Sequence, residues 1–249
     1  MPDTCEHAVA RSDQHLREGY VMSWLKQDPL LRRDDEKHIY WYGDHPFPVS
    51  TTGILQAGKG ESAIAALEAT KHEWAPRGTA VHRSLELFLK LRFHPDPIER
   101  ELASIDWALE APVLDQYKEF IDPLIRHPLW RHVEVYASEF MLCDLELDFA
   151  GTFDGAYRLP DKGQGVSCNT LFDLKTQRNK RPYSVAAQLG CYMHMARHQG
   201  IDFDQGVAIW ARPGETSIQS YTPGECEAAW QKAWLNYLES KEETRKTCH

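Results

Sequence analysis

Two acids and a lysine stand where metal-assisted hydrolysis needs them. Asp154 closes the apolar run 147–154, and Asp173 lies in the run 170–176 with Lys175 two residues further on. Both runs have the composition of β-strands, and in a strand residues i and i+2 share a face, so Asp173 and Lys175 project together. Two carboxylates meeting at strand ends offer hard oxygen ligands to Mg²⁺ or Mn²⁺. A lysine beside such an ion can orient or activate an attacking water, which is the apparatus of phosphodiester hydrolysis. The plainer reading of Asp173 is an ion pair with Lys175 itself. Flanked by Leu171, Phe172 and Leu174, this acid needs a cation or donors, because burying it bare is costly. Alone, Asp154 reads as a turn-former and Lys175 as a surface lysine.

Other polar residues fall in suggestive places. Glu139 sits in a strand-like run on the face of Ala137 and Met141; the alternative is an edge-strand acid facing solvent. His82 follows Gly78 at a helix start, with Glu86 one turn on. A ligating imidazole needs a group to orient it, the role open to Glu86, and otherwise His82 is an ordinary core or surface histidine. Gln188 and Tyr192, spaced i, i+4, line one helix face, either as rim and core contacts or as groups that bind a nucleotide or tune Lys175. Lys175, Arg178, Lys180 and Arg181 form a basic run. Trp74, Phe93 and Tyr183 are aromatics that can stack on bases, although aromatic residues more often serve the core.

Positioning these groups requires a particular succession of elements. Residues 1 to about 50 are polar and mixed, with a helix predicted over 12–26. Pro46, Pro48 and Ser50-Thr51-Thr52 make a turn that caps a short helix from Gly53. Periodicity predicts a helix over 61–74, ended by Pro76, and another over 77–89. Residues 96–132 read as helices interrupted by prolines. Strands follow over 133–142, 145–158 and 170–176, then a helix over 184–198 stopped at Gly200. Strands 206–212 and 217–221 pair across Pro213-Gly214, and a helix over 224–245 closes the chain. This order predicts one mixed α/β domain: a mostly helical addition (1–76), a core (77–222) and a C-terminal helix (223–249).

Composition narrows the classes. The 249 residues are 42% hydrophobic and 11% aromatic, as in an ordinary soluble globule. No apolar run is long enough to span a bilayer, and the start Met-Pro-Asp-Thr-Cys-Glu lacks a signal-peptide pattern, so a cytoplasmic protein with no membrane partner is expected. A formal charge of −9 speaks against coating nucleic acid nonspecifically, but not against a local basic groove. Cys5, Cys143, Cys168, Cys191, Cys226 and Cys248 are scattered without a Cys-x-x-Cys, which predicts reduced thiols rather than structural zinc.

In combination, Gly78-Thr-Ala-Val-His82 with Glu86, Glu139, Gly151-Thr-Phe-Asp154, Asp173-Leu-Lys175-Thr176 and Gln188-Leu-Gly-Cys-Tyr192 resemble the PD-(D/E)XK nuclease superfamily, in its RecB-like exonuclease branch. With Ser50-Thr51-Thr52 upstream, the chain is also similar to the mitochondrial genome maintenance exonuclease family and its phage relatives. The resemblance implies a restriction-endonuclease-like core, a central mixed β-sheet flanked by helices. It implies Mg²⁺ or Mn²⁺ held by Asp154 and Asp173, with His82 and the Leu174 carbonyl. Catalytic roles fall to Glu139 and to Lys175 as base or water-orienting group, with Gln188 and Tyr192 near it. DNA contacts fall to Thr176, Arg178, Lys180, Arg181 and Tyr183. The implied activity is DNA exonuclease in repair, recombination or replication, on single- or double-stranded ends with a lean to single strands. A structure-specific or nicking endonuclease, or an inactive nucleic-acid-binding module, are the alternatives. Any helicase, recombinase or single-strand-binding partner is a separate chain. Relatives with an iron–sulfur cluster carry three closely spaced downstream cysteines that this chain lacks, so no iron–sulfur cluster is expected.

Overall fold

The computed structural model describes residues 23–34, 36–160, 167–179 and 183–247. Its first elements are strands: Leu31–Asp34 (β1), Ile39–Tyr42 (β2) and His45–Pro46 (β3), a small antiparallel sheet. The addition is therefore not mostly helical over this stretch. Cross-strand partners Arg32 and Trp41, and Arg33 and Tyr40, bring guanidinium groups 4.8 and 5.7 Å from the ring centroids, contacts that hold such short strands. Of the helix predicted over 12–26, residues 12–22 lie outside the described residues, and 23–26 have no regular structure.

Val49–Ser50 (β4) feeds directly into Thr51–Ala57 (α1), where Ser50 Oγ accepts the Gly53 N–H at 3.3 Å as an N-cap should. Glu61–Ala69 (α2) and Lys71–Phe93 (α3) follow. The break comes at Thr70, not at Pro76, which lies inside α3. The N–H missing at Pro76 deprives only the His72 carbonyl, and His72 is exposed, so water can take that carbonyl. Pro97–Leu114 (α4) and Lys118–Ile125 (α5) complete this helical layer, with Pro112 and Pro123 inside them.

The long strands are Glu134–Asp144 (β5), Phe149–Leu159 (β6) and Cys168–Thr176 (β7), followed by Ala186–His198 (α6), Gln205–Arg212 (β8), Glu215–Tyr221 (β9) and Pro223–Thr247 (α7). They build a mixed sheet in the order β4-β6-β7-β8-β9, with β5 on the other side of β6. β7 runs parallel to β8, the remaining long strands pair antiparallel, and β4 joins β6 in parallel. One face of the sheet packs Phe153 and Trp210 with Leu189 of α6 and Trp230 of α7. The other packs Phe172, Leu174 and Ile209 with Val81 and Leu85 of α3 and Phe120 of α5. Each fully buried side chain of this size stabilises the fold by about 1.5–3 kcal/mol. The outer edge of β5 is covered: Leu25 N–H donates to Tyr136 O at 2.7 Å, and the Gln27 amide bonds both backbone groups of Met141. No helix among the described residues is long and apolar enough to cross a membrane.

One consequence of the register positions everything that follows. Since β5 occupies one side of β6 along its length, β4 and β7 must share the other side, β4 at Phe149-Ala150 and β7 from Gly155 onward. Between them, residues 151–154 of β6 have no strand neighbour on that side among the described residues. The sheet is split there, and the polar residues gather in the split.

Candidate active site

Asp154 stands at the mouth of this split. Gly155↔Phe172 is the last pair of the β6–β7 ladder, and one step beyond it Asp154 Oδ2 accepts the Leu174 N–H. A side chain thus replaces a backbone partner where the strands part. Asp154 and Asp173 are not at strand ends, as their sequence context suggests; both lie inside long strands, at the end of a ladder. In a β-ladder the N–H and C=O of one residue point to the same neighbour, so the Leu174 carbonyl faces the same gap.

Glu139 is brought opposite Asp154 by its neighbours' pairing, Ser138↔Gly155 and Phe140↔Phe153. It does so with φ of +47°, a left-handed conformation that costs a non-glycine residue roughly 1–2 kcal/mol. A register shift between Val135 and Ala137 places a bulge just upstream. Strain and bulge together aim the carboxyl into the gap. From α3, His82 Nδ1 approaches to 3.2 Å of Asp154 Oδ1 and 4.0 Å of Glu139 Oε1. These three side chains each offer a ligand atom within 4.8 Å of the others.

Asp173 and Lys175 project together, as alternation requires. Lys175 Nζ donates to Asp173 Oδ1 at 3.0 Å and lies 2.8 Å from Oδ2, though too far out of line with Oδ2 to hydrogen-bond it. Asp173 is only 1% exposed, and among the described residues its Oδ2 has no hydrogen bond, only the ion pair with Lys175. The lysine also donates to Gln188 Oε1 at 2.9 Å, and Gln188 Nε2 reaches Tyr192 Oη at 3.5 Å. The N-terminal half of α6 therefore braces the lysine. Gly151 makes room for the brace: a Cβ there would fall 2.3 Å from Thr51 Oγ1 and 2.9 Å from a Tyr192 ring carbon.

The charges are mutually dependent. Burial pushes Glu139 up to about 8, with the Asp154 charge adding to it. Burial likewise carries Asp173 to about 6, Lys175 opposing and Asp154 reinforcing. Asp154 is buried too, yet His82 and Lys175 hold it below the usual carboxylate range. For His82 burial works against the imidazolium, but Asp154 and Glu139 outweigh it and lift it to about 9. Burial opposes the Lys175 ammonium as well; Asp173 and Asp154 keep it above its ordinary value. Three carboxyl groups in one pocket cannot all ionise beside two cations without a further positive charge. The oxygens of Asp154, Glu139 and Asp173, with the His82 imidazole, are a donor set that fits a divalent ion.

The remaining residues sort unevenly. Glu86 does not orient His82: Arg83 and Lys90 each hold its carboxylate at 2.7 Å, because at i−3 and i+4 they share its helix face. Thr176 sits at the end of β7, where a Cβ on Gly78 would lie 3.9 Å from its Oγ1. Arg178 pairs with Glu119 at 3.3 Å and covers the Phe120 ring. Lys180 and Arg181 lie outside the described residues. Tyr183 is exposed, edge-on to Trp210, and with Thr52, Lys59, Lys175 and Gln188 lines a groove of about 430 Å³. Phe93 is no stacking platform; it packs edge-on against Phe88 in the apolar layer. Trp74 stays partly exposed, its indole N–H on the Leu67 carbonyl. Sequence reasoning gave no individual site role to Thr51, buried against Gly151, or to Arg77, a buried guanidinium over Phe120 whose Nε has no hydrogen-bond partner among the described residues. In sequence neither differs from a helix-cap threonine or a surface arginine.

Residues 60–246 match the family model of the PD-(D/E)XK nuclease superfamily. No curated protein matches the chain. Among solved structures, the crystal structure of SSO0001 is similar at a TM-score of 0.30 and 12% identity, over 61% of this chain and 74% of that chain, a likeness too slight to bear on function.

Proposed function

Since this chain belongs to the PD-(D/E)XK nuclease superfamily, whose members are metal-dependent nucleases, we propose that the split in its sheet is the active centre of a Mg²⁺- or Mn²⁺-dependent DNA exonuclease. The observation that carries the reading is the convergence of Asp154, Glu139 and His82 on one side with the Asp173–Lys175–Gln188 chain on the other. Asp154, Glu139, Asp173 and His82, with the Leu174 carbonyl, would hold the ion. Once bound, the metal neutralises charge on the scissile phosphate and makes a bound water more acidic.

Lys175 does its work as a cation. In the metal-free site Asp173 and Asp154 hold the Lys175 ammonium above its ordinary value, against the cost of burial, which supports a donor's role. Two of its three N–H groups point at Asp173 and Gln188, leaving one for the attacking water or a phosphate oxygen. That proton orients the nucleophile and steadies charge as it grows on phosphorus. Gln188, held by Tyr192, keeps the ammonium from swinging away. Lys59 and Tyr183 along the groove give a phosphate a charge and a base an aromatic face, which favours single-stranded ends. Such an activity serves repair, recombination or replication.

End-labelled linear and closed circular DNA, incubated with Mg²⁺ or Mn²⁺, test the reading. Degradation of linear DNA that stops with chelator and in Asp173→Asn is expected. Undiminished hydrolysis by Asp173→Asn sinks it, and cutting of closed circles makes the protein an endonuclease instead.

A further inference from the structure

A second set of polar side chains converges at the far end of α6, away from the split. Asp144 ends β5 and is almost fully buried; its Oδ1 accepts the N–H groups of Glu146 at 2.9 Å and Leu147 at 2.8 Å. Its Oδ2 faces two imidazoles, His194 Nε2 at 3.0 Å and His198 Nε2 at 3.7 Å. The two histidines are i, i+4 on α6 with ring centroids 4.9 Å apart, and the three ligand atoms lie within 4.8 Å of one another. A hydrogen bond accounts for half of this. One imidazole N–H satisfies Oδ2, whereas His198 at 3.7 Å is beyond hydrogen-bond reach yet presents the same nitrogen to the same oxygen.

We infer that Asp144, His194 and His198 form a second metal site, for a transition ion of the zinc class, with water completing the shell. Donor atoms around a tetrahedral Zn²⁺ at ~2.0–2.1 Å lie about 3.3 Å apart, a spacing that the 3.0 and 3.7 Å separations bracket. Two imidazoles with one carboxylate suit Zn²⁺ better than Mg²⁺, the reverse of the oxygen-rich split. The backbone N–H groups on Oδ1 fix the carboxylate, the outer support a ligand of this kind needs. The exposed side of His198 gives the ion its entry. Helix rise sets His194 about 9 Å and His198 about 15 Å along α6 from Gln188, so this site is distinct from the one that faces DNA. Filled, it ties the C-terminal end of α6 to the β5–β6 turn, while the other end of the same helix braces Lys175.

The test uses the full chain, stripped with chelator, dialysed against Zn²⁺, desalted and assayed for metal per chain. Zinc taken up by the split cancels in a comparison with His198→Gln, a change at a half-exposed residue. The wild type should hold one zinc more than the variant, with affinity at this site falling roughly 100-fold or more in His198→Gln. Co²⁺ gives a second readout: Trp230 lies 6.0 Å from the His194 ring, so Co²⁺ should quench tryptophan emission more in the wild type than in His198→Gln. Equal zinc content, or equal quenching, in the two proteins overturns the inference.

Discussion

Lys175 and Gln188 meet at 2.9 Å across the boundary between β7 and α6, the amide oxygen accepting from the ammonium. The contact joins two stretches the sequence keeps apart and gives a helix residue a say in where the lysine points. If Gln188 is a positioning residue, Gln188→Ala should lower kcat by roughly 10- to 100-fold with little change in KM. Tyr192→Phe, which removes only the hydroxyl behind Gln188, should cost less. Steady-state kinetics on a single-stranded oligonucleotide check both, and a loss confined to KM would assign Gln188 to substrate binding.

If the split holds the proposed metal, protons should compete with it there. His82 titrates near 9 in the folded chain against 6.5 ordinarily, and Glu139 near 8 against 4.5. Between those values the folded state holds more protons than the unfolded one, so metal-free stability should fall as pH rises. The His82 contribution is complete below 6.5 and gone above about 9. Over the same range Mn²⁺ should bind more tightly, because both protons must leave. Melting curves and calorimetry in buffers of different ionisation heat measure the two trends, and His82→Gln should flatten them.

Glu139 combines a left-handed backbone with a half-buried acid, two costs carried for the pocket. Glu139→Gly removes both. It should raise metal-free stability by about 1 kcal/mol while lowering activity by roughly 100-fold or more. Denaturant unfolding and the nuclease assay separate these effects, and a destabilised variant would contradict the strain account.

Gly190 lies where α6 crosses α7, and a Cβ there would fall 2.1 Å from the Cys226 carbonyl oxygen. Neither backbone can give way cheaply. Gly190→Ala should destabilise by about 3 kcal/mol, since the methyl meets the Cys226 backbone and Trp230 Cβ. An unfolding midpoint equal to wild type would show that the crossing is looser than described.

Much of this was legible in the chain because long strands and long helices repeat their pattern often enough to be read. The three long strands, the 206–212 and 217–221 hairpin and the helix bearing Gln188 and Tyr192 lie close to their expected positions. Strands β1 and β2 were not legible, since four residues such as Leu-Arg-Arg-Asp give alternation no room to show. Pro76 misled because the one carbonyl it leaves unpaired belongs to His72, an exposed residue, so the helix runs through it. Glu86 misled because i, i+4 spacing to His82 ignores the two cations on the same face that claim it first. The acids at the split were visible as residue types, but the split itself was not. It comes from β6 exchanging one neighbour for another, a property of pairing that no single strand records.

Single-turnover cleavage of end-labelled DNA with Mn²⁺, comparing wild type with Asp154→Asn, puts the central claim to its most direct test. Asparagine keeps the size of the side chain and removes the charge that faces His82 and that the proposed ion would need. The account expects roughly a thousandfold loss of rate in a protein that still folds and melts cooperatively. A rate within about tenfold of wild type would mean that the split in the sheet is not where the phosphodiester is broken.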